Sequence, residues 1–255
     1  MKRERAYVDN RRNKILEIME AQPEVKVEEL AKTFEVSPIT IRRDLQYLED
    51  NKKLVRFYGG ASVKKKEEQI QDEVKLYRTL IARYAATLVE DGDTIFINTS
   101  SNALGMLEYI DKQNVTVITN NGRAINKEHK DGINVILTGG ELRYPKEAMV
   151  GDFAIRNLQT VYAKKSFVGC SGISEECGMT TEIANEVNIN ELMINNALKE
   201  TYILADHTKI GKNSSFISCT IEKIGNLITD ELAPADQLEL MREKGVKIHI
   251  VKKGE

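Results

Sequence analysis

The sequence predicts an α/β protein in two parts: a small helical head closed by a β-hairpin, and a larger α/β domain on a mostly parallel sheet. Three observations lead there. At 255 residues the chain is too long for one small module and suits two domains. Residues 1–63 carry three short amphipathic patterns and a hairpin signal, whereas from Val74 onward short apolar runs alternate with helical stripes. The charge divides near the same place: residues 1–66 sum to +5 and the remainder to −7 within a net −2, the asymmetry of a basic nucleic-acid-binding head on an unrelated body.

In the head, Ile15, Leu16, Ile18 and Met19 fall at helical spacing among charged residues and predict a helix from Arg11 to Glu20. Ala21-Gln22-Pro23-Glu24 ends it, because proline lacks an N–H and restricts the residue before it. Val27, Leu30, Ala31 and Phe34 line a second short helix, and Glu35-Val36 makes a tight connection. Ser37-Pro38 opens a third: serine caps the first amides, and proline at the first helical position loses no hydrogen bond. Ile41, Leu45 and Leu48 form its buried stripe. At ~100° per residue the opposite face carries Ile39, Arg43 and Gln46, with Thr40 and Arg42 at its edges. Leu54 to Tyr58 reads as a strand, Gly59-Gly60 turns the chain, and Ala61-Ser62-Val63 returns it.

Three helices and a hairpin in this order make a winged helix-turn-helix, whose third helix enters a DNA major groove. Arginine and glutamine near a helix N-terminus present the donors and acceptors that distinguish base edges. A plain helical subdomain with a solvated charged face is the alternative; the tight second connection, the Ser-Pro cap and the hairpin favour DNA binding. The candidate DNA contacts are Ser37, Pro38, Ile39, Thr40, Arg42, Arg43 and Gln46 on the third helix, with Arg56 and Tyr58 on the wing. The run Ser37-Pro38-Ile39-Thr40-Ile41-Arg42-Arg43-Asp44-Leu45, followed by Leu48-Glu49, Arg56 and Tyr58-Gly59-Gly60-Ala61, resembles the DeoR family of bacterial transcriptional regulators. Two positions depart from that pattern. Lys52 stands where the family usually has glycine before the wing, and Tyr58 where histidine usually precedes the glycine pair.

Lys64 to Glu73 (KKKEEQIQDE) is charged, lacks a core pattern and reads as an exposed connector, which places domains at 1–63 and 74–255 around a linker at 64–73. Lys64, Lys65 and Lys66 suit phosphate contacts and a solvated charge run equally. Beyond it, Tyr77, Leu80, Ile81, Tyr84, Ala85 and Leu88 form a helical stripe. Apolar runs at 94–97, 115–118, 134–137, 166–168, 201–204 and 247–250 read as buried strands, and helices fit 102–110, 123–129, 152–159, 185–198 and 235–244. Such alternation calls for a mostly parallel sheet covered by helices.

In these sheets ligands bind beyond the carboxyl ends of the strands. Polar or glycine-rich loops fall there: Asn98 to Asn102, Thr119 to Gly122, Thr138 to Arg143, Gly169 to Gly172, and Asp206 to Lys209. Hydroxyls and amides at a helix N-terminus, with a nearby cation, make an anion site. A phosphorylated small molecule fits that chemistry, and each loop taken singly is also readable as an ordinary capped turn. These loops, with Asp91-Gly92-Asp93-Thr94-Ile95-Phe96, Phe167-Val168-Gly169, Gly178, Glu186 and Ala205 to Gly211, are similar to the sugar-phosphate sensor domain of the DeoR family, itself like ribose-5-phosphate isomerase and coenzyme A transferases in fold. The resemblance implies an effector site at Asn98, Thr99, Ser100, Ser101, Asn102, Asn120, Gly139, Gly140, Glu186 and Lys209. Phosphate is expected against Ser100, Ser101 and the amides near Asn102, with Lys209 as counter-charge and Asn98 facing the sugar hydroxyls. Asn98 stands where the family usually has aspartate, and Asn190 about where lysine is usual.

Other classes are excluded by composition. No run approaches the ~18 apolar residues a membrane helix needs. The charged N-terminus has no apolar stretch behind it, unlike a secretory signal, so a cytoplasmic protein without a membrane partner is expected. Cys170, Cys177 and Cys219 are odd in number and lack CxxC spacing, and His129, His207 and His249 lie far apart; neither a disulfide framework, a metal site nor a cofactor is expected. The resemblance implies a transcriptional regulator that represses a sugar or carbohydrate operon, binds a double-stranded DNA operator as a homo-oligomer (dimer or tetramer), and answers to a phosphorylated sugar. The competing reading is an isomerase-like phosphosugar enzyme with an accessory helical module. It needs a general base at the substrate's α-carbon, and Asn98 cannot ionise.

Overall fold

The computed structural model describes residues 2–51, 53–62 and 66–254, the side chains of 2–6 and 66–69 excepted; Lys52, Val63, Lys64 and Lys65 lie outside the described residues. The chain divides into two compact units, Met1–Glu73 and Val74–Glu255.

In the first unit, α1 (Lys2–Ala21), α2 (Val27–Thr33) and α3 (Pro38–Asp50) enclose Ile15, Met19, Leu30, Ile41, Leu45, Leu48 and Leu54. α1 begins well before its apolar stripe, over arginine- and glutamate-rich sequence that favours helix without needing burial. Ser37 caps α3 by accepting from the Thr40 amide at 3.2 Å, and Pro38 takes the first helical position. Glu35 adopts the left-handed conformation, φ 52°, to make the tight connection between α2 and α3. The wing is a three-stranded sheet rather than a lone hairpin. β1 (Glu24–Lys26) and β2 (Val55–Phe57) both pair with β3 (Gly60–Ser62). Three residues with charged ends gave β1 no periodicity to read. The turn falls at Tyr58-Gly59, and Gly60 lies within β3. A Cβ there would stand 2.3 Å from the Val25 carbonyl oxygen and 2.6 Å from the Phe57 ring, so only glycine lets the strands meet.

α4 (Lys66–Thr87) is one helix, so the segment expected as an exposed connector is helical from residue 66 onward, and Ile70, Gln71 and Asp72 in it are exposed. After it come β4 (Thr94–Ile97), α5 (Ser101–Gly105), β5 (Val115–Thr119), β6 (Ile133–Leu137), β7 (Glu141–Arg143), β8 (Ala148–Val150) and α6 (Asp152–Gln159). Then follow β9 (Ala163–Gly169), β10 (Gly172–Ser174), β11 (Gly178–Thr181), α7 (Ala184–Asn195), β12 (Ala197–Leu204), β13 (Phe216–Cys219), β14 (Asn226–Asp230), α8 (Ala235–Glu243) and β15 (Lys247–Val251). Seven of these strands form one sheet, in the order β15-β14-β12-β9-β4-β5-β6, and every pair is parallel. β7 and β8 form a hairpin, and β10, β11 and β13 form a small antiparallel sheet.

Alternation along the strands fills both faces. Ile95, Ile97, Val117, Phe167 and Leu204 pack with Ile81, Ala82 and Ala85 of α4. Phe96, Ile118, Val168 and Ile203 pack with residues of α6, α7 and α8 on the other face. Strands buried on both sides read as unbroken apolar runs, which is why most were visible in the sequence. β14 was not: only Leu227 and Ile228 are apolar in it, and its ends are the buried Asn226 and Asp230. The helix expected over 102–110 stops at Gly105 and continues as a 3₁₀ turn, Met106–Glu108. The one expected over 123–129 is a 3₁₀ segment, Gly122–Asn126.

Candidate functional site

The reading face of α3 is set by a buried charge. Asp44 is 2% exposed and accepts from Arg11 Nε at 2.6 Å and Arg12 Nε at 2.9 Å, both on α1. The Arg12 guanidinium also lies over the Tyr47 ring, 3.7 Å from its centroid. Two arginines of one helix thereby fix the rotation of the other about its own axis. Ile39, Arg42 and Arg43 are turned to solvent, and neither arginine has a side-chain partner among the described residues. Tyr58 is fully exposed at the tip of the wing. Gln46 and Arg56 are engaged with each other: an Arg56 Nη donates to Gln46 Oε1, and Gln46 Nε2 donates to Asp50 Oδ1 at 2.9 Å. Glu49 joins them, accepting from the Arg56 amide at 2.9 Å. Base reading by Gln46 or Arg56 therefore requires exchange of these bonds, whereas Arg42 and Arg43 need none.

In the second unit a cavity of about 270 Å³ opens at the carboxyl ends of β4, β9 and β12. These strands are neighbours, so the loops that follow them converge. They bring Asn98 to Asn102, Gly169 to Ser171, and Asp206 with Lys209 to its wall; Arg78 of α4, Arg123, Lys146, Thr181, Glu182 and Glu186 complete it. Of the expected effector residues, Asn98, Thr99, Ser100, Ser101, Asn102, Glu186 and Lys209 meet here.

Asn120, Gly139 and Gly140 do not line this cavity. Asn120 donates to the Met149 carbonyl at 3.2 Å and its own carbonyl accepts from the Met149 amide at 2.7 Å. A Cβ on Gly140 would meet the Val150 carbonyl oxygen at 2.5 Å. Asn120 and Gly140 lie against β8 of the β7–β8 hairpin, whose connecting loop carries Lys146 into the cavity wall.

Two further expectations are corrected by hydrogen bonding. The Asn98 amide is fully engaged: Nδ2 donates to the Gly169 carbonyl and to Asn190 Oδ1, each at 2.9 Å, and Oδ1 accepts from the Gly169 amide at 2.9 Å and the Ser100 amide at 3.2 Å. It is the floor of the cavity, with no hydrogen left for a sugar hydroxyl. The Asn102 and Ala103 amides at the start of α5 are also taken, because Ser100 Oγ accepts from them at 3.2 and 3.4 Å. The groups suited to an anion are instead cationic side chains. Lys209 has no ion-pair partner among the described residues. Arg78 engages only its Nε, which donates to Asp206 Oδ2 at 2.8 Å.

The lining also carries acids. Glu186 is buried and accepts from Thr99 Oγ1 at 3.0 Å and Thr181 Oγ1 at 2.9 Å, with Lys146 Nζ 3.8 Å away. Burial raises the Asp206 carboxyl, but the Thr208 hydroxyl and the Arg78 guanidinium outweigh it and leave it below its ordinary value. Burial pushes the Cys170 thiol up to about 12 against the opposing pull of Lys209, so the thiol is neutral. Among the described residues no three His, Cys, Asp or Glu side chains are grouped to hold a metal, and no helix is long and apolar enough to cross a membrane.

A winged helix presenting arginines, in one chain with an α/β unit that holds a charged polar cavity, defines a DNA-binding regulator with a sensor domain. The comparisons agree on both parts. Residues 11–67 match the DeoR-like helix-turn-helix domain and 74–231 the DeoR C terminal sensor domain. The chain is 32% identical to the uncharacterized HTH-type transcriptional regulator YulB of Bacillus subtilis over 96% of its length and 97% of the relative's. It is 29% identical to the HTH-type transcriptional repressor GlcR of the same organism, covering 98% of each. It is 30% identical to the lactose phosphotransferase system repressor of Staphylococcus epidermidis, covering 87% and 91%. The chain belongs to the DeoR family: it is a DNA-binding transcriptional regulator and not an enzyme. Among solved structures, ribose 5-phosphate isomerase A of Methanocaldococcus jannaschii is similar with a TM-score of 0.37 and 16% identity, over 54% of each chain.

Proposed function

We propose that this regulator is a cytoplasmic homo-oligomeric repressor of a sugar or carbohydrate operon, that α3 and the wing read its operator, and that a phosphorylated sugar binds the cavity of the sensor. The observation that carries the ligand is the meeting of two incompletely paired cations, Arg78 and Lys209, with the hydroxyl-bearing loop of Thr99, Ser100 and Ser101 around one cavity. At about 270 Å³ that cavity lies near the lower end of small-molecule sites, the scale of a single sugar rather than a nucleotide. Acidic acceptors in the same lining, Glu182 and Glu186, suit hydroxyl donors. The names of the GlcR and lactose phosphotransferase system relatives support carbohydrate control. A symmetric operator requires at least two heads, which supports an oligomer.

The test is a thermal-shift panel of aldose and ketose phosphates, each beside its unphosphorylated sugar. A ligand at 100 times its Kd stabilises the folded sensor by about 2.7 kcal/mol. One sugar phosphate is expected to raise Tm while its parent sugar does not. No shift from any sugar phosphate, or equal shifts from the parent sugars, overturns the reading.

A further inference from the structure

Arg78 reaches the cavity from a helix that is not confined to the sensor. α4 runs unbroken from Lys66 to Thr87, across the boundary at Glu73 and Val74 between the two units. Its turn at Tyr77 and Arg78 is where side chains bind it to loops at the carboxyl edge of the sheet. Tyr77 is buried, donates to Glu231 Oε1 at 3.1 Å, and meets the His207 ring edge-on with centroids 5.8 Å apart. Arg78 Nε donates to Asp206 Oδ2, and Asp206 Oδ1 is itself held by the Thr208 amide at 3.0 Å and by the Thr208 hydroxyl. The guanidinium is thus fixed through one nitrogen, and its two Nη groups have no partner among the described residues. Lys209, on the loop that also carries Asp206, lines the same cavity.

We propose that Arg78 is the contact through which the cavity's ligand acts on DNA binding. The ligand's phosphate takes the Nη fork of Arg78 on α4 and the Lys209 ammonium on the loop after β12, and so clamps α4 to the sheet. A guanidinium fork suits two phosphate oxygens, while an ammonium acts as a point charge. Asp206 is a positioning residue, holding Nε so that the fork faces the cavity. A ligand shifts an equilibrium only by binding one state better. A phosphate bridging α4 and the sheet binds better to the state in which α4 lies against the sheet. The inference rests on the sugar-phosphate reading and adds a division of labour. Lys209 supplies affinity alone, whereas Arg78 supplies affinity and coupling.

The experiment uses the full chain and the member of a panel (glucose 6-phosphate, fructose 6-phosphate, fructose 1-phosphate, ribose 5-phosphate) that raises Tm most. Calorimetry gives its Kd, hydrogen exchange gives the protection of amides 74–87, and anisotropy gives affinity for a duplex that the wild type selects from a random pool. Lys209→Ala should raise Kd about tenfold yet, at saturation, keep the wild-type protection of α4 and the wild-type change in duplex affinity. Arg78→Gln should raise Kd as much and, even at saturation, show neither. Arg78→Lys, which retains a cation for Asp206, should fold like the wild type and lose most of the coupling. Saturated Arg78→Gln and Arg78→Lys that still change duplex affinity as the wild type does would overturn the clamp while leaving the ligand in place. If no panel member binds the wild type, the sugar-phosphate reading falls and the clamp with it.

Discussion

Replacing Asp44 by alanine removes the one carboxylate between two arginines, and the cost follows from their burial. Arg11 is 8% exposed and Arg12 19%, with Asp44 at 2%. Taking away one partner of a buried pair costs about 3–5 kcal/mol, chiefly because the other charge is left without compensation. Arg12 has its stack on Tyr47 and a route to solvent, so Arg11 sets the cost, about 3 kcal/mol at the low end of that range. A unit of this size has about 4–10 kcal/mol in all. Asp44→Ala should therefore leave the head near its unfolding threshold while the sensor stays folded. Urea unfolding followed by circular dichroism, with hydrogen exchange on α1 and α3, separates the two units. Because a matched apolar pair leaves no stranded charge, Arg11→Met with Asp44→Leu should recover most of the loss. A shift below about 0.5 kcal/mol for Asp44→Ala, the size of an ordinary surface change, would refute the reasoning.

Four other outcomes are expected. Arg43→Ala should weaken the selected duplex by about 1–3 kcal/mol, the worth of a bidentate base contact, with Tm unchanged in a thermal scan. Gly169→Ala should abolish the sugar-phosphate thermal shift and lower sensor stability by about 1–3 kcal/mol, because the added Cβ falls 1.9 Å from Ser100 Oγ and 2.3 Å from its Cβ. Asn98→Asp places acceptors against the Gly169 carbonyl and Asn190 Oδ1, and should cost about 2–4 kcal/mol in urea unfolding, much of it recovered by adding Asn190→Lys. The Asp206 carboxyl is held below its ordinary value, so its contribution to sensor stability is complete above about pH 4 and is lost as pH falls through the depressed value; Asp206→Asn should flatten the Tm profile in that acid window.

The head was legible because its signals are local. The cap at Ser37, proline at the first helical position and the stripe of Ile41, Leu45 and Leu48 all stand within a few turns of each other. Asp44 carried a readable signal too, since it lies on that stripe, between Ile41 and Leu48; an acid on a buried face needs a partner from elsewhere. The bond between Gln46 and Arg56 crosses from α3 to β2, and spacing within either element says nothing of it. In the sensor, the loops after strands could be read from the sequence, but which of them converge depends on strand order. β9 and β12 lie beside β4, so their loops join that of Asn98. β5 and β6 lie on its other side, and Asn120 and Gly140, which follow them, lie against β8 instead. Arg78 was invisible for the same reason: it is a charged residue beside an apolar stripe until the fold brings α4 against the cavity.

Asn98 and Asn190, which stand at or about the places where the resemblance leads one to expect aspartate and lysine, are hydrogen-bonded to each other. Asn98 Nδ2 donates to Asn190 Oδ1, both side chains are buried, and Asn190 Nδ2 passes on to Ser218 Oγ at 3.4 Å. An aspartate at 98 or a lysine at 190 alone would bury an unmatched charge, a loss of about 3–5 kcal/mol. Two amides need no such compensation. An amide also suits the floor in a way a carboxylate does not, since it donates to one Gly169 group and accepts from another. With the floor neutral, the charge a ligand meets is that of Arg78, Arg123, Lys146 and Lys209 set against Glu182, Glu186 and Asp206. A sugar phosphate gains its second charge near pH 6. Affinity should rise through that value in the wild type, and the rise should shrink when Lys209 or Arg78 is removed, because those cations are the groups that the added charge would meet.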